Sequence, residues 1–208
     1  NCGNKVYEWQ SNHPALDAEL LSNGELIRSI FLPNSSFDFG GTTGGIEILD
    51  SNGDQVLEIS ICTDSLMLHH DFEVLPNGNI LVLAVELIDS VNVVNSGSIV
   101  YEKRFAETIL EIDRESLNIV WKWRSWDHLI QDVSPDYPNY GAISDYPGRI
   151  NINYYYDESD PDWLHFNSID FNEDLDQIMV GSPHFNELWI IDHSTTTQEA
   201  TTSTGGDF

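Results

Sequence analysis

The 208 residues carry 8 Lys and Arg against 35 Asp and Glu, a formal charge of −27. That balance excludes capture of DNA, RNA or anionic lipid, each of which needs a basic face to neutralise phosphate. Leu, Ile, Val and Phe together number 60, too many for a disordered acidic chain, so the sequence folds.

No stretch approaches the roughly 20 apolar residues that cross a bilayer, and residues 1–30 lack the basic start and apolar run of a signal peptide. The sequence begins at Asn1 rather than Met and runs out in Thr204-Gly205-Gly206-Asp207-Phe208, so processing or truncation is expected to have set its ends. Cys2 and Cys62 are the two cysteines; one bridge or two free thiols are equally open to them.

Taken in chain order, Val6-Tyr7-Glu8-Trp9 reads as the last strand of a preceding unit, because it resembles Val120-Trp121-Lys122-Trp123. Residues 16–30 then place Asn23-Gly24 between two apolar-alternating runs, a hairpin signal, since Asn and Gly tolerate the positive φ of a type I′ turn. A second hairpin follows, Ile46 to Asp50 leading through Asn52-Gly53 to Gln55–Ile59. The pattern returns at residues 70–84 around Asn77-Gly78 and again at Ile109–Asp113 with Ile119–Trp123. Its third appearance, His165 to Ser182, turns through Asn172–Asp176 and continues into Leu188–Asp192. The unit is four antiparallel strands.

Asp50, Asp113 and Asp192 close the third strand of each unit at spacings of 63 and 79 residues, and loops absorb the excess. The largest insertion, 125–163, holds six of the eight tyrosines, with a short helix expected over Trp126 to Asp132 and nowhere else. Tandem four-stranded units are the mark of a β-propeller. The expected fold is therefore all-β, about three four-stranded blades of a larger propeller, with a β-sandwich as the alternative. Three blades in an open arc would bare a sheet face at each end, so residues 1–208 are read as a fragment of one propeller domain.

In a propeller the first strand of each blade lines the central channel, so polar residues early in each unit converge. His69, His70 and Asp71 stand there in the second unit, His165 and Asn167 in the third, and Leu16-Asp17 in the first. Two imidazoles aimed at one axis make an anion site inside an acidic protein. The alternative is that they only bond across strands.

His69-His70-Asp71 with Leu75-Pro76-Asn77-Gly78-Asn79, Asp162-Trp163-Leu164-His165-Phe166-Asn167-Ser168-Ile169-Asp170, and Leu188-Trp189-Ile190-Ile191-Asp192 resemble, in that order, the bacterial arylsulfate sulfotransferase (arylsulfotransferase) family, especially its secreted members. The resemblance implies a six-bladed propeller that moves a sulfuryl group from an aryl sulfate to a phenol through a sulfohistidine, without a nucleotide sulfate donor or any other cofactor. It implies a secreted or periplasmic protein whose partners are small molecules, not nucleic acid or membrane. The family's His-x-Asn pair carries over to His165 and Asn167, and its earlier channel histidine to His70, or to His69 if the register shifts by one. Where the family has a sulfate-binding arginine this sequence has Pro183, with His184 beside it as a weak substitute. The nucleophilic histidine belongs to a later blade, which Thr204-Gly205-Gly206 only begins to approach. The polypeptide is thus expected to be inactive alone.

Secondary candidates are Arg28, a lone cation on a channel-side hairpin, and His128, next to Asp127. Asp170, Asn172, Asp174 and Asp176 alternate like calcium ligands but lack the Gly and the distal Glu, and a solvated turn is the plainer reading. The acidic run 157–162 has the same alternative. Tyr137, Tyr140, Tyr146, Tyr154, Tyr155 and Tyr156 fit either stacking on an aromatic substrate or packing among themselves. Trp9, Trp121, Trp123 and Trp189 read as packing between units. A non-catalytic secreted propeller binding a protein or glycan is the competing function.

Overall fold

The computed structural model describes residues 3–154, 160–202 and 205–206. Three antiparallel sheets follow one another along the chain, and each is a meander of consecutive strands. The first contains β1 (Ala18–Leu20), β2 (Leu26–Phe31), β3 (Gly44–Leu49) and β4 (Gln55–Ser60). The second contains β5 (Leu66–Val74), β6 (Ile80–Ile88), β7 (Arg104–Ile112) and β8 (Ile119–Arg124). Between them and the third sheet lies a two-stranded parallel pair, β9 (Leu129–Ile130) with β10 (Ile150–Asn151). The third sheet has β11 (Ser168–Asn172), β12 (Gln177–Ser182) and β13 (Glu187–Asp192), three strands among the described residues where the earlier units have four. Every expected Asn-Gly hairpin is present.

Side-chain alternation explains how the sheets stack. On β6, Ile80, Val82 and Ala84 pack toward the first sheet with Ile27, Ile48 and Phe72, while Leu81 and Leu83 pack toward the third with Ile169, Ile178 and Val180. A strand covered on both faces reads as a continuous apolar run, which is why 80–85 shows no polar alternation. At about 25 cal/mol per Å2 these two layers are the main source of stability.

Three expectations need correction. Residues 4–10 pair with no strand among the described residues; a strand is defined by its ladder, and the apolar pattern alone supplies no partner. Trp9 nonetheless donates to Asp50 O at 3.0 Å, and Tyr7 to Ser51 O, much as Trp121 of β8 donates to Thr195 O at 2.9 Å. The helix expected over 126–132 is a single 3-10 turn, Ser125–His128, cut short because the next two residues are drawn into β9. A true helix, α1 (Ser90–Asn95), was missed; Asp89 caps it by accepting from Asn92 N, an Asx signal sitting in plain sight.

The insertion 125–163 is ordered where described and returns to β7: Phe105 N donates to Pro161 O at 2.8 Å, and Arg104 to Asp160 O at 3.0 Å. Tyr155, Tyr156 and residues 157–159 of the acidic run lie outside the described residues. So does Cys2; Cys62 is a free thiol, accepting weakly from Asn34. No helix among the described residues is long and apolar enough to cross a membrane.

Candidate functional site

The site begins with a break in β5. Leu68 pairs with Ala84 and Phe72 with Val82, so His69, His70 and Asp71 together face the single residue Leu83. The surplus residues bulge, and His70 takes φ +47°. His165, on the segment entering β11, takes φ +54°. Positive φ is uncommon in a non-glycine residue, and such backbone persists only where the surroundings enforce it.

The surroundings are visible on both sides. His70 N donates to Gly41 O at 2.7 Å, and its ring lies so close to Gly41 that a Cβ there would meet Nε2 at 2.1 Å. Gly41 has φ +87°, so glycine is required twice over at this position. On the other side, Ser182 Oγ, at the end of β12, donates to Leu164 O at 2.8 Å and pins the segment before His165.

These two constraints bring the imidazoles of His70 and His165 together, ring centroids 4.8 Å apart and edge to face. His184 stacks on the far side of His165 at 5.1 Å. Phe39 closes the group, its ring 5.6 Å from His69, 6.5 Å from His70 and 6.2 Å from His165. His69, the alternative register, is buried, with Nε2 2.8 Å from Glu107 and Nδ1 3.0 Å from His70 Nδ1. His70 is thus the ring that meets His165, and His69 is buried against it.

Two carboxylates set the charge. Asp162 Oδ2 lies 2.5 Å from His165 Nδ1; this hydrogen bond, against the opposing effect of burial, raises the His165 pKa. Burial, then the neighbouring His69 and His165, push His70 down to about 4. Near neutral pH the site thus pairs an uncharged imidazole with one biased toward imidazolium. Glu107, from β7, is 1% exposed and also accepts Phe166 N at 2.9 Å. Neither carboxylate, nor Gly41, was picked out from sequence. Glu107 sits in a strand whose nine residues are all buried, so no alternation marked it.

The remaining candidates are scattered. Asn167 is exposed at the start of β11, its N donating to Gly181 O at 3.2 Å. Arg28 pairs with Glu47 at 3.2 Å and donates to His13 O, so it serves the first sheet and not the histidine group. His128 stacks on Trp123 and bonds to Ala200 O at 2.9 Å, and burial lowers its pKa; it too lies apart. Tyr146 and Tyr154 line a hollow of about 770 Å3 with Trp123, Trp189 and His128, away from the cluster. In the acidic turn, Asn172 Oδ1 accepts Leu175 N and Asp176 Oδ1 lies 2.7 Å from His193. Asp162, His165 and His184 offer ligand atoms within 4.8 Å of one another, close enough for one cation. The Asp162 oxygen is already engaged by His165, however, and the two rings are stacked at 26°, the arrangement of an ion pair with a packed neighbour.

Below the histidines the same strands turn acidic. Asp71 accepts Phe72 N and Ile169 N, both at 2.9 Å, and burial raises its pKa with Asp17 nearby. Burial, then Glu19, Asp170 and Asp71, drive Glu73 up to about 7.

A sequence model of the family described as Arylsulfotransferase (ASST) matches residues 28–199. No curated protein matches. Among solved structures, a protein of unknown function from Bacteroides caccae is 13% identical with a TM-score of 0.38, the match covering 91% of this chain and 50% of that one. The chain thus spans half the length of that protein.

Proposed function

The chain belongs to the arylsulfotransferase family, and from that premise we propose that residues 1–208 are about three blades of a six-bladed propeller carrying part of a sulfuryl-transfer site. The observation that carries this reading is the meeting of His70 and His165, from two different sheets, 4.8 Å apart. The radial arrangement is supported by β5, which lies against β11 on one side and against β2 and β3 on the other.

In the reaction we infer, a histidine nitrogen attacks the sulfur of an aryl sulfate, the S–O bond to the ring breaks, and the phenolate leaves with its electron pair. A phenol oxygen then attacks the sulfohistidine, the S–N bond breaks, its electrons return to the ring, and the phenolic proton passes to a base. His165, held by Asp162, donates from Nε2 to a sulfate oxygen, where charge must be balanced as sulfur transfers. His184 and Asn167 flank it. The family's nucleophile is expected in a later blade, outside these residues, so this piece alone turns nothing over. No nucleotide donor or metal takes part, and the parent is a secreted or periplasmic enzyme.

The test uses the full-length parent with a chromogenic aryl sulfate and a phenol acceptor. Turnover should fall at least a hundredfold in a double His70→Asn, His165→Asn variant; unchanged turnover would overturn the assignment. A second reading, a propeller that binds without catalysis, is favoured by Pro183 in the place of the family's arginine. A histidine-bearing blade downstream of Phe208 supports the enzyme, and its absence supports the binder.

A further inference from the structure

Glu107 has two oxygens and two partners. Oε1 accepts Phe166 N at 2.9 Å, and Oε2 lies 2.8 Å from His69 Nε2. An ionised carboxylate only accepts, so the proton of that second bond sits on His69 Nε2. A neutral His69 then presents a lone pair at Nδ1. The atom facing it at 3.0 Å is His70 Nδ1, which must bring the proton. His70 Nε2 is left without one, and it makes no hydrogen bond among the described residues.

We propose that Glu107 is a positioning residue which, acting through His69, holds His70 as its Nδ1–H tautomer, so that His70 Nε2 enters the site as an acceptor. The functional meaning rests on the reading of His70 as a site residue. It assigns the two converging rings opposite tasks: His165 donates to sulfate oxygens, while a lone pair on His70 would repel them and suits a substrate hydroxyl. His165 faces His70 from the segment entering the third unit with Asp162 bonded to it, and Glu107 and His69 face it from the second; His184 stacks on His165 and Asp160 acts on it through space.

The experiment is a two-bond 1H–15N correlation spectrum of the imidazoles in the 208-residue chain at neutral pH. It reads the tautomer directly and needs no substrate. We expect the proton of His69 on Nε2 and that of His70 on Nδ1. In Glu107→Gln the amide has one oxygen, which the Phe166 N–H retains. Its NH2 then donates to His69 Nε2, and both rings should switch, His69 to Nδ1–H and His70 to Nε2–H. A His70 proton on Nε2 in the unsubstituted chain, as an imidazolium at His69 would produce, overturns the proposal. So does a folded Glu107→Gln chain with unchanged tautomers. If that variant fails to fold, the unsubstituted spectrum decides alone. Turnover that survives loss of His70 and His165 would remove the enzyme reading and leave this tautomer assignment standing.

Discussion

Two glutamates four residues apart on β7, Glu107 and Glu111, each grip a histidine. Glu111 Oε2 lies 3.0 Å from His193 Nε2, and His193 Nδ1 lies 2.7 Å from Asp176. That ring has a carboxylate at each end and packs on Trp121 and Phe171; it is a closed staple between the second and third units. His69 also has both nitrogens engaged, but its second partner is His70, whose far nitrogen is open. The same pairing on the same strand thus ends in a closed bridge at one place and in an open imidazole nitrogen at the other. What differs is where the hydrogen-bond chain stops.

The sharpest way to break this comparison is to delete each carboxylate. Glu107→Ala strands His69 and the Phe166 N–H in a dry interior, at a cost of about 3–5 kcal/mol. Glu111→Ala leaves Asn77, Asn79 and His193 (12% exposed side chain) nearer to water, and about 1–3 kcal/mol should be lost. Urea unfolding of the two variants measures both; equal losses would mean that the two pairs are alike. Next in size, Gly41→Ala forces a methyl into the His70 ring at positive φ, with about 1–3 kcal/mol lost and the His70 tautomer signal displaced.

A stabilising change comes third. Because the folded pKa of Glu73 is raised to about 7, the fold favours its protonated form, and stability falls as pH climbs from its ordinary value of 4.5 through 7. Glu73→Gln should therefore gain about 1 kcal/mol at pH 8, after solvent screening, and nothing at pH 4. The histidines divide by sign in the same titration. For His193, burial is outweighed by Glu111 and Asp176, and its pKa is raised; its contribution is complete below 6.5 and disappears as pH rises through the folded value. His70, depressed to about 4, works against the fold as pH falls from 6.5 toward 4. Unfolding midpoints of His193→Asn across pH 5–9 should lose the part of the alkaline decline that His193 adds to that of Glu73, and keep the acid one. The smallest effect is Pro183→Arg, which restores a cation beside His184 and should tighten sulfate binding only a few-fold by calorimetry, in line with a partly exposed ion pair.

Much of this was readable in advance. Asn-Gly turns fixed the hairpins because few dipeptides tolerate that backbone, and matched histidines in two units pointed to a shared site. The partners were hidden for physical reasons. Glu107 lies in a strand buried on both faces, where the sequence carries no alternation. Asp162 was one acid in an acidic run, and Gly41 one glycine among Gly40, Gly44 and Gly45. The choice between His69 and His70 depended on the width of a bulge, which no periodicity reveals. Arg28 and His128 were misplaced because a charge and an imidazole look the same in sequence whether they face an axis or a neighbouring sheet.

Left-handed backbone at His70 and His165 narrows what can replace them. Alanine there removes the ring and also strains the main chain, so a loss of activity in an alanine scan conflates the two. Asparagine and aspartate tolerate the same φ and stand one nucleotide away from either histidine codon. Lineages can therefore shed the imidazole while keeping the architecture intact, and silent, well-folded descendants should be as easy to evolve as active ones.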